Sequence, residues 1–188
     1  MSNALRQTMT MAEFLDWEER QPAKHEFDGF QPIAMSGGTL AHAVLQRNLA
    51  ISLGGALRGT PCQFVGSDFQ VRLASTVRYP DGTVICGPQD RLARGTSAPV
   101  VLFEIISPST AATDRIVKVR EYQATPSVQR YVILEQDQVA ATVFARTGDG
   151  WSGTVLAAGE VLAMPEIGLT IPLDDLYTAI DLPQSALE

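Results

Sequence analysis

Apolar residues run together in two stretches, Val100–Phe103 resumed at Ile105-Ile106, and Tyr131–Leu134. Elsewhere they recur at helical spacing or alternate with polar residues. A short continuous apolar run bounded by turn residues predicts a strand covered on both faces. The first run therefore predicts a buried strand from Val100 to Ile106, and the second a strand over 129–135. Across 40–58, Leu40, Val44, Leu45, Leu49, Leu53, Ala56 and Leu57 follow a helical period. Gly59-Thr60-Pro61 closes that helix. Thr10 with Glu13 three residues on predicts a capping box, opening a helix that runs to about Arg20 and ends before Pro22. Between His25 and Met35, Gly29 and Pro32 predict two short strands around a turn. Residues 63–73 alternate and predict one strand. Residues 82–86 predict another, after Tyr79-Pro80-Asp81. Pro108-Ser109-Thr110 predicts a helix start, running to about Ala124. Residues 139–145, 150–156 and 167–171 predict an antiparallel meander, with Gly148-Asp149-Gly150 as a hairpin turn.

These elements make one α/β domain over residues 1–188, a mixed β-sheet flanked by helices with antiparallel C-terminal strands. The end from Asp181 reads as a loose tail. A buried strand, a helix and a second strand in succession form a crossover unit.

Composition narrows the function classes. The chain has 188 residues, 45% apolar and 19% charged, which is enough for a full hydrophobic core and too apolar for disorder. No apolar run approaches the roughly 20 residues that cross a bilayer. Met1–Met11 lacks a basic start followed by an apolar stretch, so no signal peptide is expected. Cys62 and Cys86 stand in no metal-ligand spacing, and a reduced cytoplasmic protein is the simplest expectation. With His25 and His42 as its only histidines, the chain favours a hard cation held by oxygen over a zinc site.

Net charge is −7, which argues against strong general affinity for nucleic acid. The distribution is uneven. Residues 72–130 carry eight Lys/Arg against five acids, and residues 131–188 carry Arg146 alone against nine acids. The basic residues gather in sequence around Glu104. They read equally as a solvated surface or as a binding face.

Glu104 is the candidate with the sharpest physical signal. Pro99-Val100-Val101-Leu102-Phe103 precede it and Ile105-Ile106 follow it. An ionised carboxylate in a buried strand is costly unless paired, hydrogen-bonded or bound to a metal. Glu104 is thus either a structural ion pair or part of a site. Asp81 opens the preceding strand, and adjacent strands would bring the two carboxylates together. A divalent cation resolves such a repulsion. Asp114, Lys118 and Tyr122 follow at i, i+4 and i+8, on one helix face. They form either an ordinary ion pair or a site that sets a lysine over the two carboxylates.

Tyr79-Pro80-Asp81, Phe103-Glu104-Ile105-Ile106-Ser107-Pro108-Ser109-Thr110 and Asp114-x3-Lys118-x3-Tyr122 resemble the Uma-two family of restriction endonucleases, within the PD-(D/E)XK nuclease superfamily. Met9–Phe14, the His25-Glu26-Phe27-Asp28-Gly29 segment, His42 and Val128–Ile133 extend the resemblance over nearly the whole chain. The resemblance implies a restriction-endonuclease-like core and hydrolysis of DNA phosphodiester bonds. It implies that Asp81 and Glu104 ligate Mg²⁺ or Mn²⁺. The superfamily's usual lysine, two residues after the glutamate, falls at Ile106, and Lys118 is its substitute. Glu26 would be a further acid near the metal. The resemblance also implies a homodimer, with no interface legible in the sequence. The alternative is a catalytically inactive nuclease-fold module for nucleic-acid or protein interaction. An unrelated hydrolase is disfavoured, since no Gly-x-Ser-x-Gly elbow is present.

Overall fold

The Pro99–Ile105 strand lies inside a six-stranded mixed sheet, as its apolar run requires. The computed structural model describes residues 8–106 and 113–182. In chain order, α1 is Met11–Glu18, β1 His25–Phe27, β2 Pro32–Ala34 and α2 Leu40–Ala56. Then come β3 Cys62–Gly66, β4 Gln70–Arg72, β5 Val77–Arg78, β6 Gly82–Cys86, β7 Gly95–Thr96 and β8 Pro99–Ile105. A π-helical segment, Thr113–Lys118, runs into α3, Val119–Gln123. The remaining elements are β9 Arg130–Leu134, β10 Ala140–Thr147, β11 Gly150–Ala157, β12 Val161–Met164, β13 Leu169–Pro172 and α4 Leu173–Leu176.

The main sheet has the order β11-β10-β9-β8-β6-β3. β8 runs parallel to β9 and antiparallel to β6. The helical segment between β8 and β9 makes the parallel return that the sequence predicts. The strand's two faces are covered differently. Val101, Phe103 and Ile105 pack with Leu45, Leu49, Leu53 and Leu57 of the α2 region. Each such leucine contributes about 1.5–3 kcal/mol by leaving water. On the other face Leu102 and Ile106 pack with Tyr122, Tyr131 and Ile133. Leu40, counted into the apolar stripe of α2, is instead 81% exposed, because it lies on the first turn, outside the face that meets the sheet.

A second sheet, β2-β1-β5-β4-β7, stands beside the first. α1 covers it, with Phe14 stacked on Phe27 at 5.0 Å and Val77 buried beside them. The Thr10–Glu13 capping box forms as its spacing predicts.

Three expectations are corrected. Residues 63–73 are not one strand: they split into β3 and β4, which belong to different sheets. The chain turns at Ser67-Asp68-Phe69, closed by Phe69 N–H donating to the Gly66 carbonyl at 3.2 Å. The third limb of the C-terminal meander pairs with β12 in a separate two-stranded sheet, not with β11. Cys62 and Cys86, expected as reduced thiols, form a disulfide. The antiparallel register of β3 and β6 sets them directly opposite each other. The predicted helix start at Pro108-Ser109-Thr110 lies outside the described residues.

Closing a loop of this length stabilises a chain by about 3 kcal/mol in the chain-entropy account. Urea melts with and without reductant are expected to differ by that order. Thiol titration in denaturant without reductant is expected to find no free thiol; finding both thiols free would refute the crosslink.

Candidate active site

Register brings the two carboxylates together. Gly82 pairs with Phe103 across β6 and β8, so Asp81, one step back, arrives beside Glu104. A Cβ at Gly82 would sit 2.6 Å from the Phe64 ring, so a larger residue there would have to displace that ring. Asp81 Oδ2 accepts the Ile105 N–H at 2.7 Å, which ties the start of β6 to the end of β8. Asp81 Oδ1 accepts from Gln46 Nε2 at 2.7 Å and lies 3.1 Å from His42 Nε2. His42 and Gln46 are one turn apart on α2, so the helix presents both to the same carboxylate.

Glu104 is buried, on the face opposite α2. Its Oε1 accepts from Lys118 Nζ at 2.7 Å and from the Tyr122 hydroxyl at 3.1 Å. Burial pushes this carboxyl well above the ordinary value; Lys118 opposes the rise, and Asp81, Asp114 and Glu26 add to it. The Lys118 ammonium is 5% exposed, and it also stands 3.3 Å from Glu26 and 3.1 Å from Asp114. Burial alone would lower its pKa, but the three carboxylates raise it above the ordinary lysine value. Lys118 is therefore a fixed cation and no proton acceptor.

The π-helical segment sets this geometry. Single π-turns recur at functional sites because they re-aim a few side chains within a helix. Here Asp114, Lys118 and Tyr122 are all buried toward the sheet. The Tyr131 hydroxyl donates to the Asp114 carbonyl at 3.1 Å, and the Tyr131 ring meets Tyr122 edge-on at 4.8 Å.

Glu26 lies in the same cavity and contacts Lys118 at 3.3 Å. Its Oε1 accepts the Tyr79 N–H at 3.2 Å and its Oε2 accepts from Arg78 at 3.1 Å. Arg78 in turn makes a two-pronged pair with Glu121, at 2.8 and 2.6 Å. Arg78 and Gln46 are site residues that sequence reasoning missed. Arg78 adjoins the Tyr79-Pro80-Asp81 motif, and Gln46 is one turn from His42; those positions were the available signals.

Five of the eight basic residues of 72–130, Arg78, Arg94, Arg115, Lys118 and Arg130, are each paired with a carboxylate. Arg78 and Lys118 make these pairs in the interior, Arg94 and Arg115 at the surface.

Asp81, Glu104, Asp114, Lys118, Glu26 and His42 line one cavity of about 820 Å³. Ile106 does not join them. It packs in the core beside Leu102 and Tyr122, so Lys118 supplies the cation from the next element.

The family model described as "Putative restriction endonuclease" matches residues 11–174. The chain belongs to this Uma2 family. It is 34% identical over 172 residues to the uncharacterized protein slr1290 of Synechocystis sp. PCC 6803, covering 89% of this chain and 90% of that one. It is 27% identical over 146 residues to a second uncharacterized protein of that organism, sll1609, covering 75% of this chain and 82% of the other. Among solved structures it resembles a "putative nuclease belonging to DUF820" from Anabaena variabilis, with a TM-score of 0.73 and 16% identity. That likeness covers 90% of this chain and 98% of the other. The fold is thus that of an Uma2 nuclease-like protein, a mixed α/β core with helices on the sheet. No helix among the described residues is long and apolar enough to cross a membrane.

Glu26 allows a test of this Uma2 site's electrostatics. Burial would raise its pKa, but Lys118 and Arg78 hold it below the ordinary value of 4.5. Its contribution is then fully present above that value and is lost as pH falls through the lower folded value. Glu26→Gln is expected to cost about 1–3 kcal/mol at neutral pH, since it leaves two buried cations short of a charge. Urea melts of both proteins down an acid series are expected to show the gap closing. A gap that stays constant would mean that Glu26 acts by packing, not by charge.

Proposed function

We propose that the protein is a metal-dependent endonuclease that hydrolyses DNA phosphodiester bonds. The observation that carries this reading is the convergence of Asp81, Glu104 and Lys118 on one cavity, with the lysine arriving from the helix after Ile106. The family description and the nuclease-like fold support the reaction class.

The donor set fits a hard divalent cation. Asp81 and Glu104 offer carboxylate oxygens at one end of the sheet, the donors that Mg²⁺ and Mn²⁺ take. Charge fits as well. Glu26, Glu104, Asp114 and Glu121 share two full cations, Arg78 and Lys118. Excess negative charge in a buried cluster favours a further cation. A cation bound there would supply positive charge against the scissile phosphate and an acidified water as nucleophile.

The chain's own residues do the rest. Ile105 N–H, Gln46 and His42 fix the Asp81 carboxylate. Before a cation enters, Tyr122 and Lys118 fix Glu104. Glu26, itself held by Arg78, contacts Lys118. Lys118 contributes a permanent charge that needs no reorganisation as negative charge develops on the phosphate.

Supercoiled plasmid incubated with Mn²⁺ is the direct assay. Asp81→Asn and Glu104→Gln are expected to abolish nicking, and Lys118→Met to slow it about 10²-fold. Thermal melting without divalent ions reports whether each variant folds. Wild-type protein freed of contaminating nucleases that nicks no DNA with Mg²⁺ or Mn²⁺ would sink the active-enzyme reading. The inactive nuclease-fold module would then take its place.

A further inference from the structure

Asp114 is the one carboxylate of the cavity that the proposed reaction leaves without a use. It is 2% exposed, and among the described residues its Oδ1 takes no hydrogen bond. Yet Lys118 Nζ lies only 3.1 Å from that oxygen. Distance makes them an ion pair, but direction does not make them a hydrogen bond: the ammonium donates instead to Glu104 Oε1 at 2.7 Å. A buried acceptor left unsatisfied is a standing cost, unless another state of the molecule uses it.

We propose that Asp114 is a reserve seat for the Lys118 ammonium: when a divalent cation sits at Asp81 and Glu104, Lys118 turns from Glu104 to Asp114. The inference rests on the metal reading above. Its physical basis is like-charge repulsion. Lys118 stands against Glu104, where the incoming cation would place two further positive charges. In a buried site the ammonium needs another acceptor before it can yield. Asp114 Oδ1 is that acceptor, and the exchange is short. Both oxygens already lie within 3.1 Å of the same nitrogen, so the N–H bonds need only be re-aimed.

The surroundings suit such an exchange. The Tyr122 hydroxyl also donates to Glu104 Oε1 and keeps that carboxylate oriented when Lys118 leaves. The Tyr131 hydroxyl holds the Asp114 carbonyl, so the receiving residue stays fixed. Glu26 contacts Lys118 from a third side, at 3.3 Å. Asp114 acts through Lys118, and is a positioning residue.

Mn²⁺ titration of the full chain, followed by calorimetry and by the paramagnetic resonance of free Mn²⁺, tests this as a double-mutant cycle. Asp114→Asn is expected to loosen Mn²⁺ about tenfold. In a Lys118→Met background the same substitution is expected to change affinity little, because no ammonium remains to be seated. Equal loosening in both backgrounds would mean that Asp114 acts on the metal directly, and the proposal falls. No loosening in either background also overturns it. Wild-type protein that takes up no Mn²⁺ would sink the metal reading itself, and the inference with it. Crystals of the wild type soaked in Mn²⁺ give a second readout that is independent of variant folding. The expected result is Lys118 Nζ beyond hydrogen-bond distance of Glu104 Oε1 and bonded to Asp114 Oδ1. An ammonium still bonded to Glu104 beside a bound Mn²⁺ overturns the proposal.

Discussion

The buried pair between Glu104 and Lys118 is the interaction on which the site depends. A carboxylate on a covered strand is tolerable only if its charge is answered. Lys118 answers it at 2.7 Å, and so must leave water as well. That second burial then demands its own partners, which are Glu26 and Asp114. Glu26 in turn draws in Arg78, and Arg78 draws in Glu121. One polar residue in an apolar strand thus commits residues from three other parts of the chain. Removing Lys118 would leave Glu104 buried without a cation, which costs more than the pair itself contributes.

This economy explains how basic residues are used. The sequence places an excess of them around Glu104, and the fold turns Arg78 and Lys118 inward onto carboxylates while Arg94 and Arg115 pair along the surface. What remains at the cavity is a cluster with more carboxylate than cation. Such a cluster has little use as a landing site for a polyanion by itself. It is well matched to a small hard cation that would reverse the local sign. The metal reading and the modest basic surface are two faces of the same arrangement.

The second sheet and α1 serve that arrangement from outside. β1 carries Glu26 and β5 carries Arg78, and the pairing of Phe27 with Val77 sets the two side by side. Phe14 covers this pair of strands. The role of α1 is thus to hold the strands that hold Lys118, although it contributes no group to the cavity.

Much of this was legible in the chain. The Val100–Ile106 run determined a covered strand and made Glu104 conspicuous. The spacing of Asp114, Lys118 and Tyr122 determined that one helical face would carry all three. The Thr10–Glu13 box determined where α1 begins. Each is a local pattern, read from a period or a cap, and local patterns survive in sequence because neighbouring residues must satisfy them together. Other features were decided only by the tertiary structure. The split of residues 63–73 between two sheets, the Cys62–Cys86 pairing and the recruitment of Arg78 and Gln46 all depend on which strand lies beside which. That is a matter of register between segments far apart in the chain, fixed by total core packing and charge balance. No period along the sequence encodes it.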